Sequence, residues 1–246
     1  MSPLTIPAGS PYFAGHFPGR PILPGIAHLA LVSQALGGIP IAEIPSLRLR
    51  SPVRPGDVLA VEIDGPADDG TVRFTLRRGN EVVSGGTLRA GPDGDAPDLP
   101  EIPEAPGASP PVGSLLPHAP PARLLQNVLE VSPEGMTGVA KIPGSSPFAS
   151  AGRAPAFVGF EAAAQGAAML ESLLRTGSSG PRIGYLVALR GARCRVAALP
   201  VERPFRFVVR LTGSAPPLSI YEVVIEGTGG AELLRGTIST FIPPES

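Results

Sequence analysis

Hydrophobic residues in this chain fall into two similar runs, separated by a stretch without hydrophobic period. GIAHLALVSQAL, from Gly25 to Leu36, is apolar around most of its circumference, with Pro24 before it and Gly37-Gly38 after it. That pattern predicts a helix closed by the two glycines. A helix with no polar face must be enclosed by the rest of the fold. The second run, AFVGFEAAAQGAAMLESLLRT from Ala156 to Thr176, has the same character and is stopped by Gly177. Strand patterns follow each helix. Thr71–Arg77 and Phe205–Leu211 alternate apolar and polar positions, as half-buried antiparallel strands do. Ser46–Val53, Asp57–Asp64 and Glu81–Ala90 read as further strands of the first half. Tyr185–Val196, Leu218–Gly227 and Glu232–Ile242 do so in the second. The last hairpins correspond: Glu81-Val82-Val83 against Glu232-Leu233-Leu234, then Thr87-Leu88 against Thr237-Ile238.

Between the runs, Ala90 to Gly113 is dense in Pro, Gly, Asp and Glu and reads as an extended, exposed linker. The expected organisation is a first domain over residues 1–90, a linker over 91–112 and a second domain over 113–246. One enclosed helix followed by an antiparallel sheet, occurring twice, is an α+β arrangement of two repeats.

Composition narrows the function classes. The net charge is −1, with no clustered basic excess, so a nucleic-acid-binding surface is not expected. Cys194 is the single cysteine, which excludes an intrachain disulfide and a thiolate metal cluster. A reducing, cytoplasmic setting fits. No signal peptide is read at the N-terminus. The most apolar segment, Gly25 to Ala42, is interrupted by His28, Gln34, Gly37, Gly38 and Pro40, so no membrane span is expected.

The chemistry-bearing segment is Phe13-Ala14-Gly15-His16-Phe17-Pro18-Gly19-Arg20-Pro21-Ile22-Leu23-Pro24-Gly25. It resembles the signature of the 3-hydroxyacyl-carrier-protein dehydratases of fatty-acid synthesis, the FabA/FabZ type. Ser51-Pro52-Val53-Arg54-Pro55-Gly56-Asp57 also resembles that family's strand–turn. Leu115-Leu116-Pro117-His118, Leu124-Leu125, Val158-Gly159-Phe160-Glu161-Ala162-Ala163-Ala164-Gln165 and Ile183-Gly184-Tyr185-Leu186 are similar to dehydratase-like partners of aryl-polyene and related polyketide pathways. The resemblance implies a double hotdog: two antiparallel sheets, each wrapped around a central helix, forming an intrachain pseudo-dimer.

It also implies a catalytic pair, a loop His and a helix acid from opposite halves. The family's acid lies fourteen positions after the His, which from His16 falls on Ala30. The second half has Glu161 on its helix but no His in its loop, SSPFASAGRAP. The losses are complementary. One composite site, His16 with Glu161, is expected, and the opposite pairing of Ala30 with the loop around Gly152 and Arg153 is expected to be dead.

The activity implied is dehydration of a 3-hydroxyacyl thioester to the trans-2-enoyl product, in a polyketide, polyene or fatty-acid route. His16 would take the C2 proton. Glu161, held protonated by burial among Phe160, Ala162 and Ala164, or a water that it holds, would protonate the leaving hydroxyl. The Gly25 N–H, after Pro24 at the helix start, would face the thioester oxygen. Phe17, Phe157, Phe160 and Gln165 would line the substrate site, and Ile26 and Leu29, with Phe157 and Phe160, would close its end. Gln165 would bond either a backbone group or the acid. No metal or cofactor is expected, because the phosphopantetheine arm belongs to the substrate. The partner is an acyl carrier protein, met by Arg20, Arg48, Arg50 or Arg54 if those do not merely face solvent. Pseudo-dimers could pair further as a homodimer. His28 reads as packing or tunnel lining, and His118 as a turn residue without chemistry. The rival readings are a hotdog acyl-thioesterase, a hydratase, an isomerase-competent dehydratase and a non-catalytic acyl-carrier-binding subunit, the last favoured if Glu161 faces solvent.

Overall fold

The computed structural model describes residues 4–91, 98–99, 112–175 and 181–244. Most of the Pro-rich linker, and Thr176 with the stop at Gly177, lie outside the described residues. The first half contains strands β1 (Leu4–Thr5), β2 (Ile41–Leu49), β3 (Val58–Asp64), β4 (Thr71–Arg78) and β5 (Glu81–Ala90) around helix α1 (Ala27–Ala35). The second begins with a single helical turn, α2 (Val112–Leu115), then β6 (Leu125–Ser132), β7 (Gly135–Lys141) and the short β8 (Arg153–Pro155). Helix α3 (Gly159–Leu174) follows, with β9 (Tyr185–Cys194), β10 (Ala198–Pro200), β11 (Pro204–Ala215), β12 (Leu218–Glu226) and β13 (Glu232–Phe241).

Eleven strands form one sheet, in the order β1-β3-β4-β5-β2-β9-β13-β12-β11-β7-β6. The seam between halves is the antiparallel pair β2–β9, in register from Glu43↔Arg193 to Arg48↔Ala188. Each half joins its partner along this strand, so an edge that would otherwise expose unpaired backbone is satisfied within the chain. This is the α+β double hotdog. Strand β8 pairs separately with β10.

The alternation read from sequence sets which side chains enter the core. Val72, Phe74 and Leu76 of β4 are buried, as are Phe205, Phe207 and Val209 of β11 and Tyr221, Val223 and Ile225 of β12. They cover helices buried over most of their length, including Ala27 to Val32 of α1 and Gly159 to Ala163 of α3. Helix α1 closes as expected: Gly37 and Gly38 have φ of +86° and +82°, and the Gly38 N–H donates to the Ser33 carbonyl at 2.7 Å.

Sequence pattern missed the β6–β7 hairpin and the start of β2 at Ile41. β7 (GMTGVAK) carries two glycines and is buried along most of its length, so it has no alternation to read. The glycines have a packing reason. A Cβ on Gly138 would sit 2.5 Å from Phe207 Cζ, and one on Gly166 of α3 would sit 2.3 Å from Phe207 Cε2. The Phe207 ring fills the space both leave, and α3 lies close to the sheet because of it. Gly166→Val is expected to lower unfolding stability by about 1–3 kcal/mol through overpacking. Urea unfolding would measure it, and a variant as stable as wild type would contradict this packing.

Candidate active site

The loop carrying His16 is closed on itself. The Ile22 N–H donates to the His16 carbonyl at 2.8 Å, and His16 Nδ1 bonds the Ile22 carbonyl at 2.8 Å. A carbonyl only accepts, so Nδ1 carries the hydrogen and Nε2 of the neutral ring is left with its lone pair. Burial, the largest influence, pushes the imidazole down to about 4, although the nearby Glu161 pulls the other way. His16 is therefore a neutral base at physiological pH.

The loop is tied across to the second half at Gly15. The Ala119 N–H donates to the Gly15 carbonyl at 3.0 Å. Gly15 has φ +78°, and a Cβ there would lie 2.0 Å from the Ala119 carbonyl oxygen. This single backbone contact sets His16, the next residue after Gly15, beside His118, the residue before Ala119.

Glu161 lies in the first turn of α3, 7 % exposed, and its carboxylate faces these rings. His118 Nε2 is 3.6 Å from Glu161 Oε1, longer than a hydrogen bond but a close charge contact. The donor atoms of His16, His118 and Glu161 lie within 4.8 Å of one another. Phe17 supports both rings, stacked on His16 at 4.1 Å between centroids and edge-on to His118 at 4.7 Å. The two imidazoles are 5.2 Å apart.

Gln165, one turn along α3, does both things the sequence left open. Its Oε1 accepts from the Leu124 and Leu125 N–H groups at 2.8 and 3.2 Å. Its Nε2 donates to the Ala122 carbonyl at 2.8 Å and to Glu161 Oε1 at 3.2 Å. It thereby fixes the segment after His118 to the helix that carries the acid.

One expectation is reversed. Burial does raise the proton affinity of Glu161, and it is the largest single influence. The facing His118, the charge interaction with His16 and the Gln165 amide together outweigh it, and the carboxyl sits below its ordinary value. The apolar neighbours seen in sequence hid the polar ones supplied by the other half.

A cavity of about 330 Å³ runs from this trio along α3 and the seam. His16, Gly25, His28, Glu161, Gln165 and Leu186 are among its walls, and Arg50 and Pro52 stand exposed at its rim. The Gly25 N–H has no backbone acceptor among the described residues. A Cβ at Gly25 would meet Leu49 Cδ1 at 2.5 Å, so only a glycine keeps this wall open without displacing Leu49. Of the four arginines proposed to meet a carrier, all are exposed, but Arg50 is the one that borders the cavity.

Several proposed lining residues lie elsewhere. Phe157, Phe160, Ile26 and Leu29 are in the core and do not line the cavity. A hotdog helix buries most of its side chains in its own sheet, and only the stripe at the seam reaches the site. Phe17 backs the histidines, and Pro24 borders a smaller space on the far side of His16, closed by the Tyr12 and Phe148 rings at 5.2 Å. At the opposite pairing, Ala30 is buried with no polar side chain and Arg153 is exposed.

His28 lines the cavity, with Nδ1 2.8 Å from Ser84 Oγ, and burial pushes its imidazole down to about 4. A ring held neutral when folded but titrating near 6.5 when unfolded adds nothing above pH 6.5. It withdraws stability as pH falls toward 4, by about 3 kcal/mol over that interval. Stability measured by urea at pH 7 and pH 4.5 should therefore differ less in His28→Leu than in wild type. An equal difference would show that His28 is not held neutral.

A double hotdog with one buried acid–base centre at its seam is the class these features define. The chain belongs to the ApeP-like dehydratase family, described as ApeP dehydratase, which it matches over residues 110–246. Residues 2–87 match the ApeI-like family, described as ApeI dehydratase. Among curated relatives, the 3-hydroxyacyl-[acyl-carrier-protein] dehydratase FabZ of Verminephrobacter eiseniae is 37 % identical over 77 residues, covering 24 % of this chain and 51 % of that protein. FabZ of Chlamydia trachomatis serovar L2 is 34 % identical over 101 residues, covering 34 % of this chain and 66 % of the relative. The chain thus spans about half to two thirds of these relatives' length. The dehydratase domain of PpsC from Mycobacterium tuberculosis, solved with C12:1-CoA, superposes over 98 % of this chain and 92 % of its own, with TM-score 0.68 and 15 % identity. The dehydratase heterocomplex ApeI:P from Xenorhabdus doucetiae has a chain that superposes over 56 % of this chain and 94 % of its own, with TM-score 0.51 and 24 % identity. These likenesses show the fold. No helix among the described residues is long and apolar enough to cross a membrane.

Proposed function

We propose that the chain dehydrates a 3-hydroxyacyl thioester carried by an acyl carrier protein, in a polyketide or fatty-acid route in the cytoplasm, through one site per chain. The observation that carries this is a buried neutral imidazole and a buried carboxyl, from opposite halves, facing one cavity. His16 Nε2 takes the C2 proton. The negative charge that builds on the thioester oxygen is met by the Gly25 N–H, a preorganised donor. The C3–O bond breaks, and the hydroxyl leaves as water with a proton delivered through Glu161. The chemistry calls for no metal or organic cofactor. Glu161 is 7 % exposed, so the condition that favoured a non-catalytic binding subunit is not met.

The lowered Glu161 carboxyl is what a thioesterase would use to activate water, so hydrolysis is the second reading. One experiment separates them. The purified chain is incubated with a 3-hydroxyacyl carrier-protein thioester, with and without EDTA, and followed by mass spectrometry. Loss of one water from the intact acyl carrier, unaffected by EDTA, is expected. Release of free acid would establish the thioesterase, and binding without change would contradict both.

A further inference from the structure

We infer that His118 is a positioning residue for Glu161, sharing with it the proton that the leaving hydroxyl takes. The inference rests on the proposed dehydration. His118 lies in a turn that the sequence gives no chemistry, yet it is 8 % exposed, lines the cavity and sets Nε2 3.6 Å from Glu161 Oε1. Its other nitrogen, Nδ1, is buried with no hydrogen-bond partner among the described residues. A buried imidazole left with an unpartnered nitrogen is unfavourable for folding alone, which a purely structural role would not explain. The ring is held by Phe17 at 4.7 Å and by the Ala119–Gly15 backbone bond.

The proton count needs such a group. His16 is neutral and serves as base, and Glu161 lies below the ordinary carboxylate value, so at neutral pH neither holds a spare proton. The His118–Glu161 pair, with Nε2 3.6 Å from Oε1, carries it. In the reaction, the C2 proton moves to His16 Nε2, the C3–O bond breaks, and Glu161 gives the hydroxyl a proton that it receives from His118. Water and the C2–C3 double bond are formed, leaving His16 protonated and the Glu161–His118 pair one proton poorer. Because the three donor atoms lie within 4.8 Å, the proton on His16 returns to the Glu161–His118 pair and the site is reset. Among the described residues, the titratable groups facing His118 are His16 from the first-half loop and Glu161 from α3, while Phe17 and Gln165 carry no charge.

The test compares wild type, His118→Gln and His118→Phe, with folding checked by circular dichroism. Glu161 is titrated by infrared spectroscopy of its carboxyl, identified against Glu161→Gln, and kcat and KM are measured for dehydration. The Glu161 titration should move up by about one pH unit in both variants, and kcat should fall about a hundredfold with KM little changed. An unmoved titration in both variants, or an unchanged kcat, would overturn the inference. If the titration moves but wild type turns over no thioester, the His118–Glu161 pairing stands and the dehydratase reading falls.

Discussion

Replacing His16 with Ala, or Glu161 with Gln, is expected to lower kcat/KM for dehydration by about a thousandfold, with the double variant little worse than either single one. The magnitude follows from general acid–base catalysis, where one positioned group contributes about 10²- to 10⁴-fold. The non-additivity follows from geometry. In the proposed reaction His16 removes a proton as the C3–O bond breaks, and that break draws on the proton delivered through Glu161, so the two would act as a unit. Both are buried, and their donor atoms lie within 4.8 Å of each other and of His118. Steady-state kinetics on variants with unchanged melting temperatures would measure this. A Glu161→Gln enzyme with wild-type turnover would place the acid elsewhere, and losses that simply multiply would mean the two residues act in separate steps.

The second large effect is expected at a residue with no chemistry of its own. Gly15→Ala should lower kcat by about a hundredfold while the fold persists. A Cβ at Gly15 would lie 2.0 Å from the Ala119 carbonyl oxygen and 2.8 Å from its carbonyl carbon, and φ is +78°. The backbone of one half must move away from the other, and with it His16 from His118 and Glu161. A displacement of about 1 Å at a catalytic group can cost on the order of 10²-fold in rate. Gly19→Ala is the control: φ there is also positive, at +70°, but a Cβ meets nothing within 4 Å. That variant should carry the backbone strain without the displacement and keep most of its activity. Equal losses in both would assign the effect to loop strain, not to the contact between halves.

How much was legible in the sequence depends on whether the signal was local. The two enclosed helices and strands β3, β4, β5, β11, β12 and β13 were readable, because their hydrophobic period and their flanking Pro and Gly lie within a few residues. β7 was not, because a strand buried along most of its length has no alternation. The complementary loss of acid and base was legible as motif positions, Ala30 and Glu161, and the structure brings His16 and Glu161 together across the seam. His118 could not be ranked from sequence, since its importance comes from the Gly15–Ala119 contact and the Gln165 bonds that dock its segment. The protonation of Glu161 was misjudged for the same reason: its sequence neighbours are apolar, but its spatial neighbours are two imidazoles and an amide. Phe157 and Phe160 were placed in the tunnel because helix residues near a catalytic acid look like lining. Sequence spacing alone did not show which helix face meets the seam and which meets the sheet.

In the proposed arrangement each chain builds one complete site from its own two halves. It is tested most directly by mixing His16→Ala and Glu161→Gln proteins and measuring dehydration of a 3-hydroxyacyl carrier-protein thioester beside wild type. Turnover by wild type is expected, and none above the separate variants in the mixture, because each chain lacks one member of its own pair. Recovery of activity on mixing would show that the working site forms between chains, and would contradict it.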